Sequence, residues 1–398
     1  MGLLSALDPA TSRPLPLAAK GFRPFFIAAA AFSTLILPIW MATLAGLHGP
    51  ARYLDVITWH AHEMLFGFAV AVIAGFLLTA VANWTRRETV VGWPLLGTCA
   101  LWIAGRVGMA AADHLPRGLP ALLDLAFLPV LAIVIARPIV ATRNLRNLVM
   151  IAVLASLWLA DLVIQLDALG VIGAYRRRAA LFAVDVIVVL LVIIAGRVVP
   201  MFTKNATGAT SVRSAPALDQ AAIAAMVATA LVDLASTDVR VQGAAAAITA
   251  VLLIARAWHW GARQSARQPL LWILHAGHAW IVIGLALRAA AAFSDRVPSS
   301  AATHALTVGA IGALTLGMMS RVSLGHTGRP LATPPSVVAS FVLLTLAALV
   351  RVFVPVVDMA VYRASLFVAG TLWTAAFALF LSVYVPVLTS ARADGKPG

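Results

Sequence analysis

Apolar residues run along this chain in stretches of about twenty, split by short polar connections and showing no alternation of period two. A helix rises about 1.5 Å per residue, so about 20 apolar residues cross a hydrocarbon core of about 30 Å. Twelve stretches qualify: 22–46, 57–81, 93–112, 118–141, 146–167, 178–201, 215–235, 240–261, 270–292, 301–320, 335–357 and 361–385. The span at 215–235 is short and has Asp219 and Asp233 near its ends. Runs rich in Ala, Leu, Val and Ile without alternation exclude the strands of a membrane barrel. The pattern predicts an all-α polytopic membrane protein with residues 1–21 ahead of one membrane domain, 22–385, and a tail at 386–398.

Composition agrees with that pattern. Hydrophobic residues make up 62% and charged ones 11%, far from the roughly 25% charged of a soluble domain. The net charge of +14 would suggest nucleic acid in a soluble protein, but here the basic residues fall between apolar runs and report topology, so no nucleic-acid partner is expected. One set of alternate connections, with both termini, holds 18 Lys and Arg, and the other holds 10. Short cytoplasmic loops keep the excess, so both termini are expected in the cytoplasm. Residues 1–20 carry Arg13 and Lys20 without a short apolar core and cleavage site, so no removable signal peptide is expected. The single cysteine, Cys99, excludes an internal disulfide, a four-cysteine cluster and paired-cysteine haem attachment; any haem would be held non-covalently.

Gly75, Gly196 and Gly317 lie near the inner ends of spans two, six and ten at a spacing of 121 residues (196 − 75 and 317 − 196), each followed by apolar residues and a polar loop. Three pseudo-repeats of four helices are implied, at 22–142, 143–263 and 264–385, related by an axis along the membrane normal. Twelve helices of similar length would also space evenly.

Ionisable groups in a span cost about 2.5–3.5 kcal/mol or more, so each calls for a partner, a cavity or a function. Towards the outer surface lie His60, His62 and Glu63 at the start of span two, His304 at the start of span ten and Asp185 in span six, with Arg106 and Arg288 in spans three and nine. Towards the inner surface lie His259, His275, His278, Arg197, Arg321 and His326, while His48 and His114 fall in outer connections. His60 and His62 point about 200° apart on a helix, so they serve two sites, or one site and one hydrogen bond. Shifting His62 by two repeats reaches His304, and equivalent histidines at equal depth suit axial ligation of a haem. His275 and His278 share nearly one face and can share an ion. His259 between Trp258 and Trp260 reads as an interfacial belt. Glu63, Asp185 and the outer arginines are candidates for relaying protons, binding haem propionates or forming salt bridges. No phosphate loop, dinucleotide fingerprint or zinc-protease helix is present.

Four stretches carry a resemblance: Gly21-Phe22-Arg23-Pro24-Phe25-Phe26, Trp59-His60-Ala61-His62-Glu63-Met64-Leu65-Phe66-Gly67, Gly196-Arg197-Val198-Val199-Pro200-Met201-Phe202-Thr203, and His304-Ala305-Leu306-Thr307-Val308-Gly309 with Gly325-His326-Thr327-Gly328-Arg329-Pro330. The chain resembles the NnrS family of bacterial membrane proteins. The resemblance implies a haem- and copper-containing protein of the nitric oxide and nitrosative-stress response. The family pattern has Tyr at 278, so His278 departs from it.

The architecture is also similar to the catalytic subunit of the haem–copper oxidase superfamily, which includes nitric oxide reductases. That similarity implies haem b between His62 and His304, with Arg106 and Arg288 near it. The superfamily's metal histidines on helices six and seven are missing here: span six offers Asp185 and span seven no His. If copper binds, His60 with Glu63 is the first candidate and His275 the second. The expected function is binding or reduction of nitric oxide, with electrons from quinol or a separate protein. The rivals are a carrier exporting a metal or metal–nitrosyl species, and a metal-binding sensor or assembly factor without turnover.

Overall fold

Local chemistry sets where the helices begin and end. The Asp55 carboxylate accepts hydrogen bonds from the amides of Ile57 and Thr58 at 3.2 and 3.0 Å, capping the second helix. Asp358 does the same for Ala360 at 2.8 Å. Pro94, Pro216, Pro269 and Pro335 occupy first turns, where a missing amide hydrogen costs nothing. Gly208, with φ of 65°, supplies a left-handed stop that a side chain would strain.

The computed structural model describes residues 15–47 and 53–396, so Arg13 and His48 lie outside the described residues. These residues form helices and contain no strand. Eleven helices are long and apolar enough to cross a membrane. They are α1 Phe22–Leu44, α2 Val56–Thr85, α4 Leu119–Ala141, α5 Leu145–Ala168, α6 Arg176–Thr207, α7 Pro216–Ala235, α8 Val239–Ala257, α9 Pro269–Phe293, α10 Ser299–His326, α11 Pro335–Val357 and α12 Met359–Thr389. The segment expected as a third span forms α3, Trp93–Ala110, which is shorter and carries Arg106.

Hydrogen bonds between connections show that α3 nevertheless runs from one face of the bundle to the other. Gly92, at its start, donates to the Ala18 carbonyl at 2.7 Å beside the start of α1. Past its end, Arg117 donates to the Leu169 carbonyl at 2.5 Å, beyond α5. Alternate connections meet one another throughout. On the first face Asn144 donates to Trp84 O at 3.4 Å, Gln268 to Ala206 O at 3.3 Å and Arg392 to His326 O at 2.9 Å. On the opposite face Arg363 donates to Leu44 O at 3.3 Å, and Arg176 pairs with Asp55 at 3.4 Å. Both described ends of the chain therefore lie on one face.

Burial orders the helices. The apolar windows of α2, α6 and α10 are 83%, 78% and 72% buried, against 22% for α7 and 33% for α8. The second, sixth and tenth helices are thus the inner ones, and the others present their apolar residues outwards, as lipid-facing helices do. Gly277 and Gly284 of α9 allow close approach to α10: a Cβ at either place would stand 2.6 Å from Leu314 or 2.5 Å from Leu306. Helices α2 and α10 share an irregularity: Glu63–Ala69 and Ala305–Ile311 are wound as π-helix, 242 residues apart (305 − 63), which is twice the glycine spacing.

The Gly-Phe-Arg-Pro-Phe-Phe stretch has a structural task. Arg23, 0% exposed, donates from Nη1 to the carbonyls of Leu388 at 2.8 Å and Ser390 at 2.7 Å, closing the end of α12 against the start of α1. Arg23→Met removes both charge-assisted bonds, each worth about 1.5–3 kcal/mol. Faster amide exchange over residues 384–390 is the expected outcome, with α2 protection unchanged.

Candidate functional site

The face that carries Asp55, Arg176 and Ser299 holds a cavity of about 540 Å³ between the starting ends of α2, α6 and α10. Its walls are mostly apolar, with Trp40, Met64, Phe68 and Trp373 among them, and two histidines look into it, His60 from α2 and His304 from α10. The His60 ring stacks on Trp40, centroids 4.0 Å apart and planes 19° from parallel. Among the described residues no group hydrogen-bonds its ring nitrogens. His304 is oriented differently: Nδ1 donates to the Ser300 carbonyl at 2.7 Å, one turn back on its own helix. A carbonyl only accepts, so Nδ1 carries the proton and Nε2 keeps its lone pair.

Three arginines line the same cavity, Arg176, Arg177 and Arg351. Arg176 is neutralised by Asp55 and by Asp167, at 3.4 and 2.6 Å. Arg351 is not. It is 5% exposed, donates to the Tyr362 hydroxyl at 3.3 Å, and its Nη1 has no partner. A buried guanidinium without a carboxylate favours an anionic group in the cavity.

His62 points to the other side of α2, into a second, wholly buried set of groups. Nδ1 lies 2.9 Å from Glu63 Oε1, and Nε2 lies 2.9 Å from Asp124 Oδ2 and 3.1 Å from Asp161 Oδ1. Arg106 donates from Nη1 to both Glu63 oxygens at 3.0 Å and pairs through Nη2 with Asp124. Gln165 donates to Asp124 Oδ2 at 2.7 Å and accepts from the Tyr53 hydroxyl at 3.0 Å. Helices α2, α3, α4 and α5 each contribute. Farther round the bundle, Arg288 donates to Asp185 at 2.8 Å and pairs with Asp233, so Asp185 takes the salt-bridge role among those open to it and does not reach the cavity.

A family model described as NnrS protein matches residues 16–392. The chain belongs to the NnrS family. A search among curated proteins finds no match.

In this NnrS-family chain the expected grouping of site residues is redistributed. His60 and His62 do face opposite sides of α2, but His60, and not His62, shares a cavity with His304. The expected pairing of His62 with His304 is not formed, because Asp124 and Asp161 hold His62 on the far side. The first copper candidate, His60 with Glu63, is not assembled either, since Glu63 is spent on Arg106 and His62. Arg106 and Arg288 both sit in ion pairs away from the cavity.

The inner histidines separate too. His275 Nε2 meets Thr203 Oγ1 at 3.0 Å, whereas His278 meets the Leu253 carbonyl at 3.3 Å and packs on Trp260, with centroids 4.6 Å apart. The Trp258-His259-Trp260 belt holds only for its first two members: Trp258 is 76% exposed and Trp260 0%, buried against His278 and the Arg256 guanidinium. Asp124, Asp161, Gln165 and Arg351 escaped the sequence reading. Their signal was plain, since each is a polar group inside an apolar run, but a reading centred on histidines passes over them.

Proposed function

We propose that the cavity holds haem b between His60 and His304, and that this NnrS-family protein binds nitric oxide there. The observation that carries the reading is that two imidazoles from different helices face one apolar cavity beside an uncompensated buried guanidinium. A cavity of about 540 Å³ falls in the range of roughly 300–1,000 Å³ that takes organic ligands and cofactors. His304 offers Nε2, its tautomer held by the Ser300 carbonyl, and His60 offers a ring steadied by Trp40. Arg351, with Arg177, suits the carboxylates of a haem. Bound haem would supply an iron centre able to take a diatomic gas in place of one of the two imidazoles. Nitric oxide is small, apolar and lipid-soluble, so such a centre meets it from the bilayer without a polar pore.

The residues expected for copper do not converge, so no copper chemistry is assigned to His60 with Glu63 or to His275. Turnover to nitrous oxide, and with it a role in denitrification or protection from nitrosative stress, would need two electrons and two protons per pair of molecules, the electrons supplied by quinol or a separate protein. The deciding experiment is an optical spectrum with haem extraction on the purified protein, before and after nitric oxide. Haem at one per chain with a shifted Soret band supports the reading. Haem-free protein, with nitric oxide leaving the spectrum unchanged, sinks it and favours the carrier.

We also read the bundle as three units of four helices, 22–142, 143–263 and 264–385, in the bacterial inner membrane with both ends cytoplasmic. The matching burial of α2, α6 and α10 and the spacing of the two π-helical segments support the units, and the excess of Lys and Arg on the face of the chain ends supports the orientation. A membrane-impermeant thiol reagent on intact spheroplasts is expected to label Asp295→Cys and not Arg87→Cys, in a Cys99→Ala background. The reverse pattern overturns the orientation.

A further inference from the structure

The geometry points to a second site, distinct from the cavity: His62, Asp124 and Asp161 form a binding site for a first-row divalent cation. Their ligand atoms all lie within 4.8 Å of one another, and the three residues come from α2, α4 and α5. The site would lock two helices from the first 142 residues, α2 and α4, to α5, which follows them.

Tautomer chemistry is the first support. An ionised carboxylate only accepts, so Glu63 at 2.9 Å takes the Nδ1 proton of His62, which leaves Nε2, 2.9 Å from Asp124 Oδ2 and 3.1 Å from Asp161 Oδ1, as the ring atom that a cation would bind in place of a proton. Gln165 Nε2 lies among the same three atoms, 2.7 Å from Asp124 Oδ2, 3.3 Å from His62 Nε2 and 3.4 Å from Asp161 Oδ1, and would turn aside for an ion. A histidine whose far nitrogen donates to a carboxylate is the usual outer support of a metal-bound imidazole. Donor atoms about 2.0–2.2 Å from an ion stand roughly 3–3.5 Å from each other, so the observed separations need only a small opening.

Charge is the second support. Glu63, Asp124 and Asp161 are buried among apolar helices with Arg106 as the fixed cation in their midst. A divalent ion that displaces the Nε2 proton would leave His62 neutral and three carboxylates against Arg106, two net negative charges that the ion balances.

Space is the third. A cavity of about 10 Å³, close to that of one water-sized sphere, adjoins Arg106, Asp124 and Asp161, with Phe66 and Trp102 among its other walls and His62 outside them. On the side of the Asp55 face, Tyr53 and Gln165 cover the set through one hydrogen bond of 3.0 Å, a short way in for an ion. One imidazole with carboxylates suits Mn²⁺, Fe²⁺ or Zn²⁺, and the lack of thiolate disfavours Cu⁺.

Full-length protein in detergent, stripped with a chelator and dialysed against Mn²⁺ or Zn²⁺, is expected to retain one equivalent by elemental analysis. Its Mn²⁺ resonance signal should broaden on binding, and its melting temperature should rise with metal concentration. Asp161→Asn and Asp124→Asn are expected to weaken retention about 10–100-fold while keeping helical content. Two results overturn the site: wild-type protein that retains no metal and shows no metal-dependent melting shift, or Asp161→Asn protein that retains a full equivalent. If a variant fails to fold, the wild-type titration alone decides. Haem content is read separately, so failure here leaves the cavity reading standing, and the converse holds.

Discussion

His304→Ala protein is expected to purify with at least about tenfold less haem than wild type, or with any remaining haem high-spin, and His60→Ala should behave alike. Each change takes one imidazole from the wall of the 540 Å³ cavity and leaves the helix packing intact, because both rings face the cavity more than the core. His62→Ala is the informative contrast. Its ring belongs to the set with Asp124 and Asp161, so haem should be retained while stability falls. Arg351→Leu should lower haem content more than Arg351→Lys, since only the latter keeps a cation for the propionates. Pyridine haemochrome content and the Soret position check all four. Full haem in both His60→Ala and His304→Ala would remove the cavity from consideration.

Arg106→Met should be the most destabilising single change away from the cavity. The guanidinium, 7% exposed, holds both oxygens of Glu63 at 3.0 Å and also pairs with Asp124. Removing one partner of a buried ion pair typically costs about 3–5 kcal/mol, because the charge left behind stays out of water. Here two carboxylates are left. Neutralising one of them, by Glu63→Gln in the Arg106→Met background, should recover part of the loss, which a mere packing defect would not allow. Thermal melting in detergent measures it. A melting point for Arg106→Met within about 1 °C of wild type would show that the pair contributes nothing net.

Legibility in the sequence followed the length scale of each feature. Helix positions were readable because lipid demands internally satisfied backbone over about 20 residues, and a run that long leaves an unmistakable pattern. Charge between the runs gave alternate faces, and hydrogen bonds such as Arg23 to Leu388 put the two described ends together. The Gly75–Gly196–Gly317 spacing picked out the three most buried helices. Which histidine meets which was not readable. The repeat arithmetic joined His62 to His304, but it took no account of Asp124 and Asp161, which sit on helices far along the chain. The π-helical segments after His62 and His304 also turn the ends of α2 and α10 relative to the helix beyond, a shift that regular spacing omits.

The sequence by itself therefore determined that this is a helical membrane protein of about a dozen spans, that His60 and His62 face apart, and that a carboxylate such as Asp185 inside a span calls for a partner, a proton or a task. Those outcomes depend on a period of 3.6 residues and on the cost of bare charge in hydrocarbon, both local properties of the chain. Only the tertiary structure decided that His60 joins His304 around a cavity, that Arg351 stands there without a counter-charge, and that His62 belongs to Asp124, Asp161, Glu63 and Arg106. Ion pairs and cavities form between helices distant in sequence, and their partners are chosen by packing, which no single run of residues encodes.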